Sequence, residues 1–150
     1  MSNDTPTVGR CDRIFVYGTL KNLKAVKEFW GVEPTKVEKA TVSAIIYSAG
    51  EQPIMLEGEG TVHGLLLTIP EMTDNPGIFD KYESCCNNSP VSFHFRKMIA
   101  VKTKTKPMTL AWAYVGNTQH KRVKKVCVKE NHIKSGEWKP KHDRLHGPLE

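Results

Sequence analysis

Six short apolar runs, each closed by glycine, proline or a polar break, constrain this chain more than any other feature. Arg13 to Tyr17 is β-branched and aromatic and stops at Gly18. Lys39 to Tyr47, Ile54 to Leu56 and Thr61 to Ile69 are rich in Val, Ile, Leu or Thr, and Val91 to Thr103 and Met108 to Val115 are long runs that alternate. Runs of this length and composition make strands, and Lys104 to Pro107 reads as the hairpin turn joining the last two. Helical spacing occurs at Asn22 to Trp30, where Leu23, Val26, Phe29 and Trp30 fall on one face and Gly31 ends the pattern. Asp74 to Glu83 begins with a capping residue and a proline, which predicts a short helix with Ile78, Phe79 and Tyr82 inward. The expectation is an α+β domain with a mixed, largely antiparallel sheet curled toward a barrel and a few flanking helices.

At 150 residues the chain is sized for one domain. The expected organisation is a flexible segment over 1–12, the domain over 13–139 and a basic tail over 140–150. No apolar run approaches the ~20 residues needed to cross a bilayer, so no membrane partner is expected. The first ten residues lack an apolar stretch of signal-peptide length, and the expected location is the cytoplasm.

The net charge of +6 is uneven: Met1 to Val115 carry 13 Lys and Arg against 12 Asp and Glu, whereas Gly116 to Glu150 carry 9 against 4. A basic segment can steer polyanions. Trp138 is the single aromatic residue of that segment and offers no stacking platform, so a solvated surface is preferred and nucleic acid is disfavoured as a partner.

Cys11, Cys85, Cys86 and Cys127 show neither CxxC spacing nor the density of a disulfide scaffold and read as free thiols. His120, His132, His142 and His146 lack the spacing of a metal site, and no metal is expected. His63 and His94 lie in strand patterns as satisfied core or half-buried imidazoles. Gly58-Glu59-Gly60 is not a dinucleotide fingerprint, and no phosphate-binding GxxxxGK[ST] loop occurs.

One pairing offers chemistry. A strand that turns sharply at Val16-Tyr17-Gly18-Thr19-Leu20 exposes consecutive amide N–H groups that can hold a carboxylate or a developing oxyanion. Glu83, ending Phe79-Asp80-Lys81-Tyr82-Glu83, could serve beside them as a base. Taken separately, the plain readings of these features are a tight turn and a solvated surface glutamate.

The order of the pieces resembles the γ-glutamylcyclotransferase-like superfamily, in particular its AIG2-like and γ-glutamylamine cyclotransferase branch. The resemblance rests on Phe15 to Lys21, on Val62-His63-Gly64-Leu65-Leu66, on Phe79 to Cys85, on Arg96, and on Ile133-Lys134-Ser135-Gly136-Glu137-Trp138. It implies a barrel-like sheet with a cavity floored by the loop Tyr17, Gly18, Thr19 and Leu20, which would bind a γ-glutamyl head. It also implies Glu83 as acid–base residue, with Pro53, Arg96 and Tyr114 joining the loop in binding. The implied reaction converts a γ-glutamyl amine or γ-glutamyl amino acid to 5-oxoproline and a free amine, with no cofactor, in a monomer or weak homodimer. Where γ-glutamylamine enzymes often carry a tyrosine two residues before the strand arginine, this chain has His94, and Cys85 to Pro90 is a loop of its own expected at the pocket mouth. Two other classes compete with the enzyme. One is a silent binding module using the same pocket, and the other is an interaction protein acting through its basic tail.

Overall fold

The structure, a computed structural model, describes residues 11–85 and 89–139. Five strands, β1 (Arg13–Val16), β2 (Lys36–Ser48), β3 (Pro53–Thr68), β4 (His94–Thr103) and β5 (Thr109–Gly116), close into a barrel in the order β1-β3-β2-β4-β5. Neighbours are antiparallel except β1 and β5, which close the barrel in parallel with Ile14 beside Trp112.

β1 is apolar on both faces because both faces are covered. Phe15 and Tyr17 point into the barrel, where Ala40, Ala44, Ala111 and Ala113 leave room for the rings in a narrow five-stranded interior. Ile14 and Val16 face outward into a second core with Leu20, Val26, Phe79 and Trp112. Helix α1 (Leu23–Trp30) covers this side. Asn22 caps it by accepting a hydrogen bond from the Ala25 amide at 3.1 Å, and Gly31, at φ +69°, stops it in the left-handed region. Phe29, expected on the inward face, is 70% exposed, whereas Trp30 packs edge-on against Phe79 and Tyr82 at centroid distances of 5.0 and 5.2 Å.

Two expectations are corrected. Ile54 to Leu56 and Thr61 to Ile69 belong to one strand, β3, because Gly58 and Gly60 are packing positions and not strand ends. A β-carbon at Gly60 would stand 2.8 Å from the Ala44 carbonyl oxygen, beside the irregularity in β2 between Val42 and Ala44. Asp74 to Glu83 is not a helix. A 3₁₀ turn at Pro70–Thr73 leads into successive tight turns with bonds from the amides of Ile78 to Asn75 and of Asp80 to Gly77. Pro76 has no N–H to give and Gly77 favours the unfolded chain, so the helical ladder does not propagate. The segment ends in a Schellman arrangement, with Cys85 N–H on the Asp80 carbonyl at 2.9 Å, Ser84 N–H on that of Lys81 at 3.2 Å, and Ser84 at φ +55°. This hook orients Glu83.

The basic stretch that follows β5 packs on the barrel as far as Lys139. Lys121–Val126 form α2 with Val123 buried, and the chain then returns to the barrel. Ile133 N–H bonds to the Ile46 carbonyl, Gly136 accepts from His63 N–H, and Trp138 is buried in the barrel core. The expected N-terminal segment, apart from Cys11 and Asp12, and the expected tail over 140–150 lie outside the described residues. No helix among the described residues is long and apolar enough to cross a membrane.

Candidate active site

The site forms where β1 ends. The chain reverses through a 3₁₀ turn in which Lys21 N–H bonds to the Gly18 carbonyl and Asn22 N–H to that of Thr19, both at 2.9 Å. The amides of Gly18, Thr19 and Leu20 therefore have no partner within the turn. Gly18 is needed because a β-carbon there would stand 2.9 Å from Cγ of Pro53, which lies across the loop. Together they enclose a narrow cavity that, apart from the solvent at its mouth, has room for little more than one water. Tyr17, Gly18, Thr19, Leu20, Pro53, Tyr114 and Glu83 all line it, although Glu83 is 63 residues or more from the loop in sequence. Phe15, Val16, Gln52 and Tyr82 are walls that sequence reasoning missed.

Glu83 is the one carboxyl group among the described walls of this cavity. Its side chain is 15% exposed, and burial pushes its carboxyl from the ordinary 4.5 up to about 7. His94, at the start of β4, stands beside it with Nδ1 2.9 Å from the Glu83 carbonyl oxygen and 3.5 Å from its Oε1. A carbonyl only accepts, so Nδ1 carries the proton and Nε2 is left as a buried lone pair without a partner among the described residues. Burial lowers the His94 pKa, with the bond to the Glu83 carbonyl opposing, and the imidazole is accordingly a neutral donor that holds the Glu83 turn. His94 is a buried imidazole, as its strand pattern predicts, but one hydrogen-bonded to the candidate base. Nothing in the spacing of residues 83 and 94 signals that contact.

Behind the cavity lies a second polar cluster. Tyr114 Oη donates to Asp80 Oδ1 at 2.6 Å, Arg96 Nε donates to the same oxygen at 3.0 Å, and the Arg96 guanidinium covers the Trp112 ring at 4.5 Å. Tyr17 Oη donates to the Tyr114 carbonyl. Burial first, then the bond to Asp80, raises the Tyr114 pKa, and burial raises those of Tyr17 and Tyr82, so all three are neutral phenols. Arg96, expected among the binding residues, is not a wall of the cavity; it ties Asp80, and with it the turn that presents Glu83, to β4 and β5. Asp80→Asn is therefore expected to destabilise the fold by about 1–3 kcal/mol through weakened charge-assisted bonds. It should also lower turnover by loosening Glu83. Urea unfolding and activity measured on one preparation check both effects.

Cys11 and Cys127 are free thiols, and burial pushes the Cys127 thiol up to about 11, which leaves it an unreactive thiol at neutral pH. Cys86 lies outside the described residues, as do Asn87 and Asn88 of the loop expected at the mouth.

The family profile described as "Gamma-glutamyl cyclotransferase, AIG2-like" matches residues 14–140. The chain belongs to this family. Membership suggests a cyclotransferase type of activity. The crystal structure of an AIG2-like protein from Mus musculus superposes on this γ-glutamyl cyclotransferase-like chain with a TM-score of 0.59 at 19% identity, over 86% of this chain and 95% of that one. A solution structure from Arabidopsis thaliana gives 0.58 at 17% identity, over 73% and 71% of the two chains. YkqA from Bacillus subtilis gives 0.56 at 22% identity, and the match spans 89% of this chain but 41% of that one. Likenesses at these identities show a shared α+β barrel fold. No curated protein sequence matches the chain.

Proposed function

We propose that this protein cyclises γ-glutamyl amides, releasing 5-oxoproline and a free amine, with Glu83 as general base and then general acid. The observation that carries the reading is a carboxyl brought to about 7 by burial, in one cavity with a bend whose Gly18, Thr19 and Leu20 amides have no partner within the turn. The substrate's α-amine has a pKa near ~8 and is mostly protonated at neutral pH. Glu83 carboxylate removes one proton. The freed amine attacks the side-chain amide carbonyl carbon of the same glutamyl group, and a C–N bond forms while the carbonyl electrons move onto oxygen. Amides of the Gly18 to Leu20 bend are the donors for that oxyanion. Protonated Glu83 then gives its proton to the departing nitrogen as the oxyanion collapses and the original amide C–N bond breaks, and the ring nitrogen loses its second proton to the Glu83 carboxylate so freed, which passes it to the released amine or to solvent. Nucleophile and electrophile belong to one molecule, so a cavity that holds the glutamyl arm bent supplies much of the acceleration. The phenols of Tyr17, Tyr82 and Tyr114 stay neutral and supply walls and hydrogen bonds.

The reaction needs Glu83 ionised and the α-amine protonated at the outset. A bell-shaped profile of kcat/KM follows, with an acid limb near the Glu83 value of about 7 and an alkaline limb near ~8 from the substrate. Purified protein assayed against γ-glutamyl amino acids and γ-glutamyl amines from pH 5 to 10, with 5-oxoproline read by mass spectrometry, tests it. An acid limb near the ordinary carboxylate value of 4.5 would overturn the raised Glu83 carboxyl, and turnover by Glu83→Gln equal to wild type would remove Glu83 from the proton transfer.

A further inference from the structure

A second, wider trough adjoins the cavity. Gln52 is a wall of both, and Ser84, which lines the trough, directly follows Glu83. On the cyclisation reading the glutamyl head lies at the narrow cavity, and a departing nitrogen within reach of Glu83 would send its substituent along the Ser84 side into this trough. The trough offers an apolar wall and a charge. Val91 is 72% exposed there, and Phe93 is braced edge-on by His94 at 4.8 Å and His120 at 5.2 Å, so its ring is held in place. Arg122, at the start of α2, forms no ion pair among the described residues, and the one acid of the trough, Glu51, is not within ion-pairing distance of it. Val91 and Phe93 give one side of the trough an apolar wall. The exposed Arg122 guanidinium beside it is placed to pair with a carboxylate.

Resting on the cyclisation reading, we propose that this trough is the leaving-group subsite. Its occupant is an amine that carries a single carboxylate and an apolar side chain: the side chain lies on Val91 and Phe93 and the carboxylate on Arg122. The substrate class is thereby γ-glutamyl derivatives of hydrophobic amino acids rather than of simple alkylamines, and Glu51 disfavours a leaving group with a second carboxylate.

The test compares γ-glutamyl-phenylalanine with γ-glutamyl-phenethylamine, which keeps the ring and lacks the carboxylate. Wild-type protein should turn over the first with a kcat/KM higher by roughly 10- to 100-fold, the worth of a charge-assisted bond, and Arg122→Gln should collapse that ratio toward one. A ratio near one in the wild type, or one that survives Arg122→Gln, overturns the subsite. Calorimetric binding of the same two compounds to Glu83→Gln protein, with and without Arg122→Gln, reads the subsite independently of turnover. If neither compound is cyclised but the Arg122-dependent binding preference persists, the cyclisation reading falls and the subsite stands. If both are cyclised at equal rates and bound equally, the subsite falls and the reaction stands.

Discussion

Replacing Glu83 by Gln is expected to stop turnover and to stabilise the fold above neutral pH. Loss of a general base costs on the order of 10²–10⁴ in rate. The stability gain has the same origin as the catalytic role. The folded carboxyl titrates at about 7 against an ordinary value of 4.5, so between these values the native protein keeps a proton that the unfolded chain has lost. Stability therefore declines as pH rises through this window, and above it the buried charge costs about 3 kcal/mol at 1.36 kcal/mol per pH unit. Glutamine keeps the shape without the charge. Near pH 8 the variant should melt higher by about 5–10 °C, a gap that closes toward pH 4, where wild-type Glu83 is itself neutral. His94 works in the other direction: its lowered pKa makes folding weaker as pH falls below about 6.5 in both proteins. Calorimetric melting of the pair across pH 4 to 9 checks the argument, and parallel curves would mean that Glu83 is not a buried, proton-holding group.

Gly64→Ala is expected to cost about 3–5 kcal/mol, among the largest losses a single methyl can cause in this chain. Its β-carbon would lie 2.2 Å from the Val16 carbonyl oxygen and 2.8 Å from Phe15 Cζ. The first obstacle is backbone, and relief requires β1 to move away from β3, with which it pairs from Arg13 opposite Thr68 to Val16 opposite Leu65. β1 carries the Tyr17 to Leu20 bend, so the same displacement opens the cavity. Gly58→Ala is the control. There the new carbon meets the end of Ile45 at 3.1 Å, a side chain that can give way, and the change should stay within about 1 kcal/mol. Urea midpoints of the two variants separate a backbone obstruction from a general intolerance of side chains in β3.

The two alanine variants also show how the sequence carried its information. The Val62-His63-Gly64 pattern marked a position without saying why glycine stands there. The reason is an approach between strands distant in sequence, visible once β1 lies on β3. Strand existence was legible from β-branched runs and helix α1 from its period and its Gly31 stop, since both are local. The Asp74 to Glu83 segment misled because Asn75 and Pro76 do open helices, while a ladder that never propagates past Gly77 is decided by the docking of Asp80 and Phe79 on the barrel. Composition does not tell that Val123 and Trp138 of the basic stretch are buried, and those two side chains fasten it to the fold.

At the site, the loop and Glu83 could be read from a resemblance of motifs, and the structure brings them into one cavity. What the chain itself could not announce were the supports. His94 reaches Glu83 from β4, and Asp80 gathers Arg96 and Tyr114 from β4 and β5. These contacts cross 11 to 34 residues and depend on the barrel's register, which no local pattern encodes.

The most direct measurement is the fate of a γ-glutamyl amide incubated with the protein in H₂¹⁸O. Intramolecular attack by the α-amine consumes no water, so the predicted product is 5-oxoproline without ¹⁸O, one equivalent of amine beside it, formed by wild-type protein and not by Glu83→Gln. Glutamate carrying ¹⁸O in its side-chain carboxylate, or equal 5-oxoproline from both proteins, would contradict the account.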